Sequence, residues 1–201
     1  MEGIITIAGC MPRIGTTTQA MGLARYIQEC SDYKVAYVEC NAQNYIWSAS
    51  ELYRSTKNDR SGGHMNIEGI NMYNSSRIGE LTVGGTDIDF LICDCGDINS
   101  REFDETRFLT GNARILVGGV KPNELHYTEK ALRIKEYADS IFIFSFVPGE
   151  DREELKESMG SHAEDTFFSP FMPDPFMHLT KETAEGYYEK LMPHIIKKIK
   201  V

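Results

Sequence analysis

Ile4-Ile5-Thr6-Ile7-Ala8-Gly9-Cys10-Met11-Pro12-Arg13-Ile14-Gly15-Thr16-Thr17-Thr18 decides the fold. An apolar, β-branched run stops at Gly9, and an irregular loop follows that closes at Gly15 and a run of threonines. From Gln19 to Gln28, Ala20, Leu23, Ala24 and Ile27 recur at helical spacing. Strand, glycine-bounded loop and helix form the layout of a phosphate-binding loop. Its loop amides and helix N-terminus converge on one spot, and both favour an anion there.

The side chains do not complete that motif. Written G-x-x-x-x-G-K-[ST], it asks for glycine where the chain has Cys10 and for lysine where it has Thr16. Gly15 and the hydroxyl of Thr17 are in place. A plain strand–turn–helix that binds nothing is the alternative reading.

Outward from this stretch, apolar strands alternate with helical segments. Lys34-Val35-Ala36-Tyr37-Val38-Glu39 reads as a second buried strand and ends in the polar loop Cys40 to Asn44. Asp89-Phe90-Leu91-Ile92-Cys93-Asp94 is a third, broken by Cys95-Gly96-Asp97. Ala113 to Val117 and Ser140 to Val147 are two more. Helices are expected over Tyr45 to Tyr53, Glu102 to Leu109, Lys121 to Tyr137 and Glu150 to Met159, and from Lys181 onward. Ser55 to His64 is polar and reads as an exposed loop; Ile67 to Tyr73 reads as one short strand. Ile78 to Gly85 fits neither period, and Thr166 to Phe171 reads as an edge strand before the loop Met172-Pro173-Asp174-Pro175.

This alternation implies a three-layer α/β/α fold of the P-loop NTPase type with a mainly parallel sheet. The 201 residues, 1–201, are expected to form one domain. Ligands of such sheets sit beyond the carboxyl ends of the strands. The informative residues are therefore Gly9 to Thr18, Glu39 to Asn44 and Asp94 to Asp97.

A net charge of −9 argues against non-specific attachment to nucleic acid or to an anionic membrane. No apolar run approaches the length of a membrane span. Met1-Glu2-Gly3 leads straight into the first strand with no export signal, and the five cysteines are an odd number. The expectation is a cytoplasmic protein with reduced thiols.

Asp94 ends a buried strand, with Gly96 two residues on, as a Walker B strand does. A carboxylate making turn hydrogen bonds is the plainer alternative. Together, three segments resemble the MinD/ParA branch of P-loop proteins, the family with a deviant Walker A motif. Gly15-Thr16-Thr17-Thr18 and the loop before it stand where that family has K-G-G-x-G-K-[ST]-[ST]. Val35 to Asn41 resembles its strand ending in D-x-D, and Phe90 to Gly96 its strand ending in D-x-G.

The resemblance implies ATP and magnesium as ligands. Gly9, Cys10, Met11, Pro12, Arg13, Ile14, Gly15, Thr16, Thr17 and Thr18 would wrap the phosphates, and Thr17 and Asp94 would hold magnesium once nucleotide is present. It also implies protein partners, a homodimer among them; the acidic charge leads to the expectation of no direct contact with nucleic acid.

The departures bear on catalysis. The family's cross-dimer lysine falls on Met11, the P-loop lysine on Thr16, and the water-orienting aspartate on Asn41, with Glu39 two residues earlier. Arg13 lies inside the loop and offers some positive charge; Pro12 has no amide hydrogen to give. Phosphoryl transfer depends on positioning and charge stabilisation. Asp94 and Asn41 are the catalytic candidates, and an active protein would be a slow ATPase.

Cys10, Cys40, Cys93 and Cys95 sit at strand ends, with Cys93 and Cys95 on the face opposite Asp94. Cys10, Cys40 and Cys95 converging on the site would suit a metal or redox role; small buried cysteines filling a strand-end layer are commoner. Leu191, Ile195 and Ile199 with Lys197, Lys198 and Lys200 read as a final helix packed on the sheet, not a membrane-binding one. Phe167, Phe168, Phe171 and Phe176 read as core or interface, core being the commoner place for large aromatics. Two functional classes remain: a nucleotide-binding switch or scaffold with weak or no hydrolysis, and a degenerate domain that serves protein interaction alone.

Overall fold

The structure, a computed structural model, describes residues 2–53, 55–59, 63–82, 87–172, 176 and 186–200. The chain runs β1 (Gly3–Gly9), α1 (Thr16–Cys30), β2 (Val35–Glu39), α2 (Tyr45–Leu52), β3 (Ser55–Asp59), β4 (His64–Ile67), β5 (Ile70–Asn74), α3 (Ile78–Thr82) and β6 (Phe90–Asp97). It continues through α4 (Glu105–Leu109), β7 (Ala113–Gly118), α5 (Pro122–Leu132), β8 (Ile141–Ser145), α6 (Arg152–Ser158), β9 (Thr166–Ser169) and α7 (Gly186–Ile199). Among the described residues the strands form one sheet in the order β3-β4-β5-β2-β6-β1-β7-β8-β9. From β5 to β9 every neighbouring pair is parallel, while β3, β4 and β5 pair antiparallel.

Strand alternation sorts the apolar side chains into two layers. Ile5 and Ile7 of β1, Tyr37 of β2, and Phe90 and Ile92 of β6 face α1, α2 and α7. Ala8, Val38, Leu91 and Cys93 face α3, α4, α5 and α6. Both faces of the central strands are thus buried, as an all-parallel core requires. Each Ile or Phe removed from water there contributes on the order of 1.5–3 kcal/mol.

Three expectations need correcting. Ser55–Asp59 is a strand, not a loop: β3 pairs antiparallel with β4. Ladder hydrogen bonds hold such a polar edge strand, so it carries no apolar alternation for a sequence reading to find. The stretch Ile67 to Tyr73 is a hairpin, not one strand. Glu68 (φ 48°) and Gly69 (φ 87°) both take positive φ, as a two-residue type I′ turn demands, and Ile67 pairs with Ile70. Finally, β6 does not stop at Cys95. It runs on to Asp97, with a bulge against β1 between Ile7 and Gly9 and with Gly96 at φ 75°.

Ile78–Thr82 is helical, and the rest of the Ile78 to Gly85 stretch lies outside the described residues, as do Pro173 to Pro175 and the expected helix start at Lys181. α7 packs on the sheet through Tyr188, Leu191 and Ile195, and Lys198 pairs with Asp139 (2.5 Å) and Asp165 (2.9 Å). No described helix is long and apolar enough to cross a membrane.

Candidate functional site

The site is built at the carboxyl ends of β1, β2 and β6. β1 ends at Gly9, and the Cys10 amide still bonds into the sheet, to the Val117 carbonyl at 2.8 Å. Beyond it the loop leaves the sheet. Arg13 (φ 60°) and Gly15 (φ 100°) both turn left-handed, which folds the chain back to start α1 at Thr16. Among the described residues, the amides of Arg13, Gly15, Thr16, Thr17 and Thr18 donate to no other group of the protein. The first turn of α1 has no side-chain cap and no acidic residue. No residue of that turn offsets its N-terminal partial positive charge, which favours an anion.

Beneath that turn, the Thr17 hydroxyl donates to Asp94 Oδ2 at 2.7 Å. The Tyr37 hydroxyl donates to the same oxygen at 2.8 Å, and the Gly96 amide to Oδ1 at 3.0 Å. Asp94 is fully buried. Burial lifts its carboxyl above the usual carboxylate range, against the pull of the bonds from Thr17, Tyr37 and Gly96. Burial, reinforced by the neighbouring Asp94 charge, pushes the Tyr37 hydroxyl well up, so it stays a donor. A hydroxyl beside a carboxylate is the hard oxygen set that magnesium takes, and both groups lie under the open amides, so the residues fit the ion. Among the described residues no cluster of three or more His, Cys, Asp or Glu gathers to hold a metal. A dication here depends on oxygens brought by its ligand.

The other candidates are placed less simply. Thr16 is buried, and its hydroxyl lies against the α-carbon of Gly9. Ile14 is buried beside it, so the two side chains fill the strand-end side of the loop. Met11 packs on the α1 core layer. Pro12 and Arg13 are exposed, and among the described residues Arg13 makes no ion pair. Asn41 donates to the Asp94 carbonyl (3.0 Å) and accepts from the Gln43 amide (3.0 Å). Its side chain lies over Gly96, where an added Cβ would stand 2.9 Å from the Asn41 Cβ. Its amide is thus occupied in holding the β2 and β6 loops together. Glu39 turns away from the loop and caps α2, accepting from Tyr45 (2.5 Å) and Ile46 (3.3 Å). Pro12, Asn41, Gly96, Asp97, Glu102 and Phe103 line an adjoining cleft of about 210 Å3.

The cysteines do not converge on this site. Cys10 hydrogen-bonds Thr128 on the opposite face, and burial pushes its thiol up to about 12. Cys40, Cys93 and Cys95 join the same far layer.

Sequence reasoning missed the role of Tyr37, because a tyrosine inside an apolar strand reads as core. It also missed the polar group that ties α1 to β8 and β9. Gln19 Nε2 donates to Ser169 (2.9 Å), Ser145 and Ser169 share a 3.0 Å bond, and the Tyr187 hydroxyl donates to Gln19 Oε1 (3.3 Å). Phe171, expected in the core, is 65% exposed and meets Phe146, 69% exposed, at 5.7 Å between ring centroids. Phe167, Phe168 and Phe176 do pack on the core.

No protein-family model and no curated protein sequence matches the chain. Solved structures match over nearly its whole length. The MinC:MinD cell division complex of Aquifex aeolicus matches with a TM-score of 0.66 at 11% identity, covering 98% of this chain and 94% of that one. A putative plasmid partition protein from Borrelia burgdorferi bound to AMPPNP gives 0.63 at 12% identity, covering 97% and 98%. The septum site-determining protein MinD of Pyrococcus horikoshii, complexed with Mg-ADP, gives 0.57 at 16% identity, covering 98% and 93%. The fold is that of the MinD/ParA P-loop proteins.

Proposed function

We propose that this MinD/ParA-like chain binds ATP with magnesium at the Gly9–Thr18 loop and hydrolyses it weakly or not at all. On this reading the chain acts as one domain, as a cytoplasmic switch or scaffold for protein partners, a second copy of itself among them. The observation that carries the reading is the Thr17–Asp94 hydrogen bond of 2.7 Å directly beneath unpaired helix-start amides. Those are the two side chains a magnesium nucleotide needs, held together where the phosphates would lie. Two likenesses add support: the partition protein carries AMPPNP and the Pyrococcus MinD carries Mg-ADP.

The residues divide the work as follows. The amides of residues 13 and 15–18 bind phosphate oxygens, and Arg13 adds the loop's own cation. Thr17 and Asp94 would hold magnesium, which supplies charge neutralisation to the phosphates when bound. Asn41 fixes the β2 loop against Gly96. Thr16 cannot place an ammonium on the phosphates. Loss of such a preorganised charge costs on the order of 10²–10³ in rate. Calorimetric titration of ATP into the full chain tests the reading. Heat that requires magnesium and disappears in Asp94→Ala supports it.

A second reading, an interaction domain with no nucleotide, draws on a different observation. Ile14 and Thr16 pack the loop against Gly9, and Asp97 and Glu102 line the neighbouring cleft. Those carboxylates oppose a triphosphate. Absence of any binding heat selects this reading.

A further inference from the structure

Three of the five cysteines form a cluster that the nucleotide reading leaves without a task. Cys40 directly follows β2, and Cys93 and Cys95 lie on β6, the neighbouring parallel strand. The register pairs Val38 with Cys93 and Glu39 with Asp94, and the Cys40 amide donates to the Asp94 carbonyl at 2.8 Å. One step further along the same register, Cys40 stands opposite Cys95. All three side chains join the layer under α3 to α6. Cys93 and Cys95 are buried, whereas Cys40 is partly open to solvent.

We propose that Cys40 and Cys95 are a peroxide-oxidisable pair that closes to an intrachain disulfide.

Strand geometry selects this pair over the other two. Directly opposed residues on adjacent strands stand about 4.8 Å apart at the backbone, inside the span a disulfide bridges. The diagonal pair, Cys40 and Cys93, is separated by about 7–8 Å, beyond that span without backbone movement. Cys93 and Cys95 lie two apart on one extended strand, at roughly 6.6 Å, near the upper limit.

The chemistry needs a hydroperoxide as its two-electron oxidant. The Cys40 sulfur attacks one peroxide oxygen and the O–O bond breaks. With hydrogen peroxide, Cys40 becomes a sulfenic acid, and its thiol proton leaves in one water. The Cys95 sulfur then attacks the Cys40 sulfur. The S–S bond forms, the S–O bond breaks, and the hydroxyl leaves with the Cys95 proton as a second water. Two thiols are oxidised by two electrons and one peroxide is reduced to two waters. The product would fasten the Cys40–Asn44 loop to the Cys95–Asp97 turn, where Asn41 already packs on Gly96. The device is independent of whether nucleotide binds.

The test treats the folded full chain with one equivalent of hydrogen peroxide, unfolds it under acid quench, counts thiols and maps disulfides by mass spectrometry. The expected result is a fall from five free thiols to three, with residues 35–54 joined to residues 78–101 and the link reversed by dithiothreitol. Cys93→Ala should keep the link, whereas Cys40→Ser and Cys95→Ala should each lose it. Circular dichroism of each variant confirms that it is folded. A link that survives Cys95→Ala, one that forms only between chains through exposed Cys30, or five free thiols after treatment would each overturn the proposal.

Discussion

Thr17 and Tyr37 donate to the same oxygen of Asp94, at 2.7 and 2.8 Å, one from the first turn of α1 and one from within β2. The shared acceptor ties the Gly9–Thr18 loop to the strand beneath it, and the two hydroxyls have separable roles. Tyr37→Phe removes a bond to a buried carboxylate while keeping the ring, and should cost about 1.5–3 kcal/mol of stability in urea unfolding. It leaves Thr17 and Asp94 in place, so magnesium-dependent ATP binding should persist. Thr17→Val should instead abolish that binding.

The base of the loop is close-packed around Gly9. A Cβ there would overlap the Thr16 hydroxyl and stand 2.8 Å from Ile14 Cγ2 and 3.0 Å from the Met11 carbonyl oxygen. Gly9→Ala should therefore lower stability by about 1–3 kcal/mol, because the start of α1 must shift. Gly69→Ala meets no steric neighbour and is strained only by its φ of 87°. It should cost about 1 kcal/mol. Parallel denaturation curves separate the two effects.

Acid should loosen α7. Burial raises the Asp165 carboxyl, but the His194 and Lys198 hydrogen bonds outweigh it and the net shift is downward from 3.8. A carboxyl whose folded pKa is depressed contributes stability above its unfolded value and loses it as pH falls through the folded one. Asp165→Asn should thus lower Tm at pH 7, and the gap to the unmodified chain should close below about pH 4. Thermal melts across that range measure it. A gap that stays constant with pH would assign the effect to packing alone.

The parallel strands were legible because each is a run of Ile, Val, Leu or Phe buried on both faces, and the strand–loop–helix layout because Gly9 and Gly15 bracket the loop. β3 and the Glu68-Gly69 turn were not, since a polar edge strand and a glutamate at positive φ have no apolar period to announce them. Asp94 was legible as the carboxylate that closes an apolar run, although β6 continues past it to Asp97. Its partner Tyr37 was not, because nothing local distinguishes a core tyrosine from one whose hydroxyl reaches a neighbouring strand. Glu39 shows the converse. Its position suggested the active site, and the amides of Tyr45 and Ile46 claim it instead.

Turnover should be slow. With Met11 and Thr16 where two lysines would stand, the proposed reading leaves developing charge to be met by the loop amides, Arg13 and whatever magnesium Thr17 and Asp94 would hold. Phosphate release from ATP or GTP should sit near background in the unmodified chain. Brisk magnesium-dependent turnover, abolished by Asp94→Ala, would point to Arg13 as a sufficient cation.

The most direct test of a phosphate cradle lacking its lysine is titration of magnesium–ATP into Thr16→Lys beside the unmodified chain. A charge-assisted contact contributes about 1.5–3 kcal/mol. The account predicts binding that tightens on the order of 10- to 100-fold in the variant. A folded Thr16→Lys chain that binds ATP no better than the original, or not at all, would contradict it.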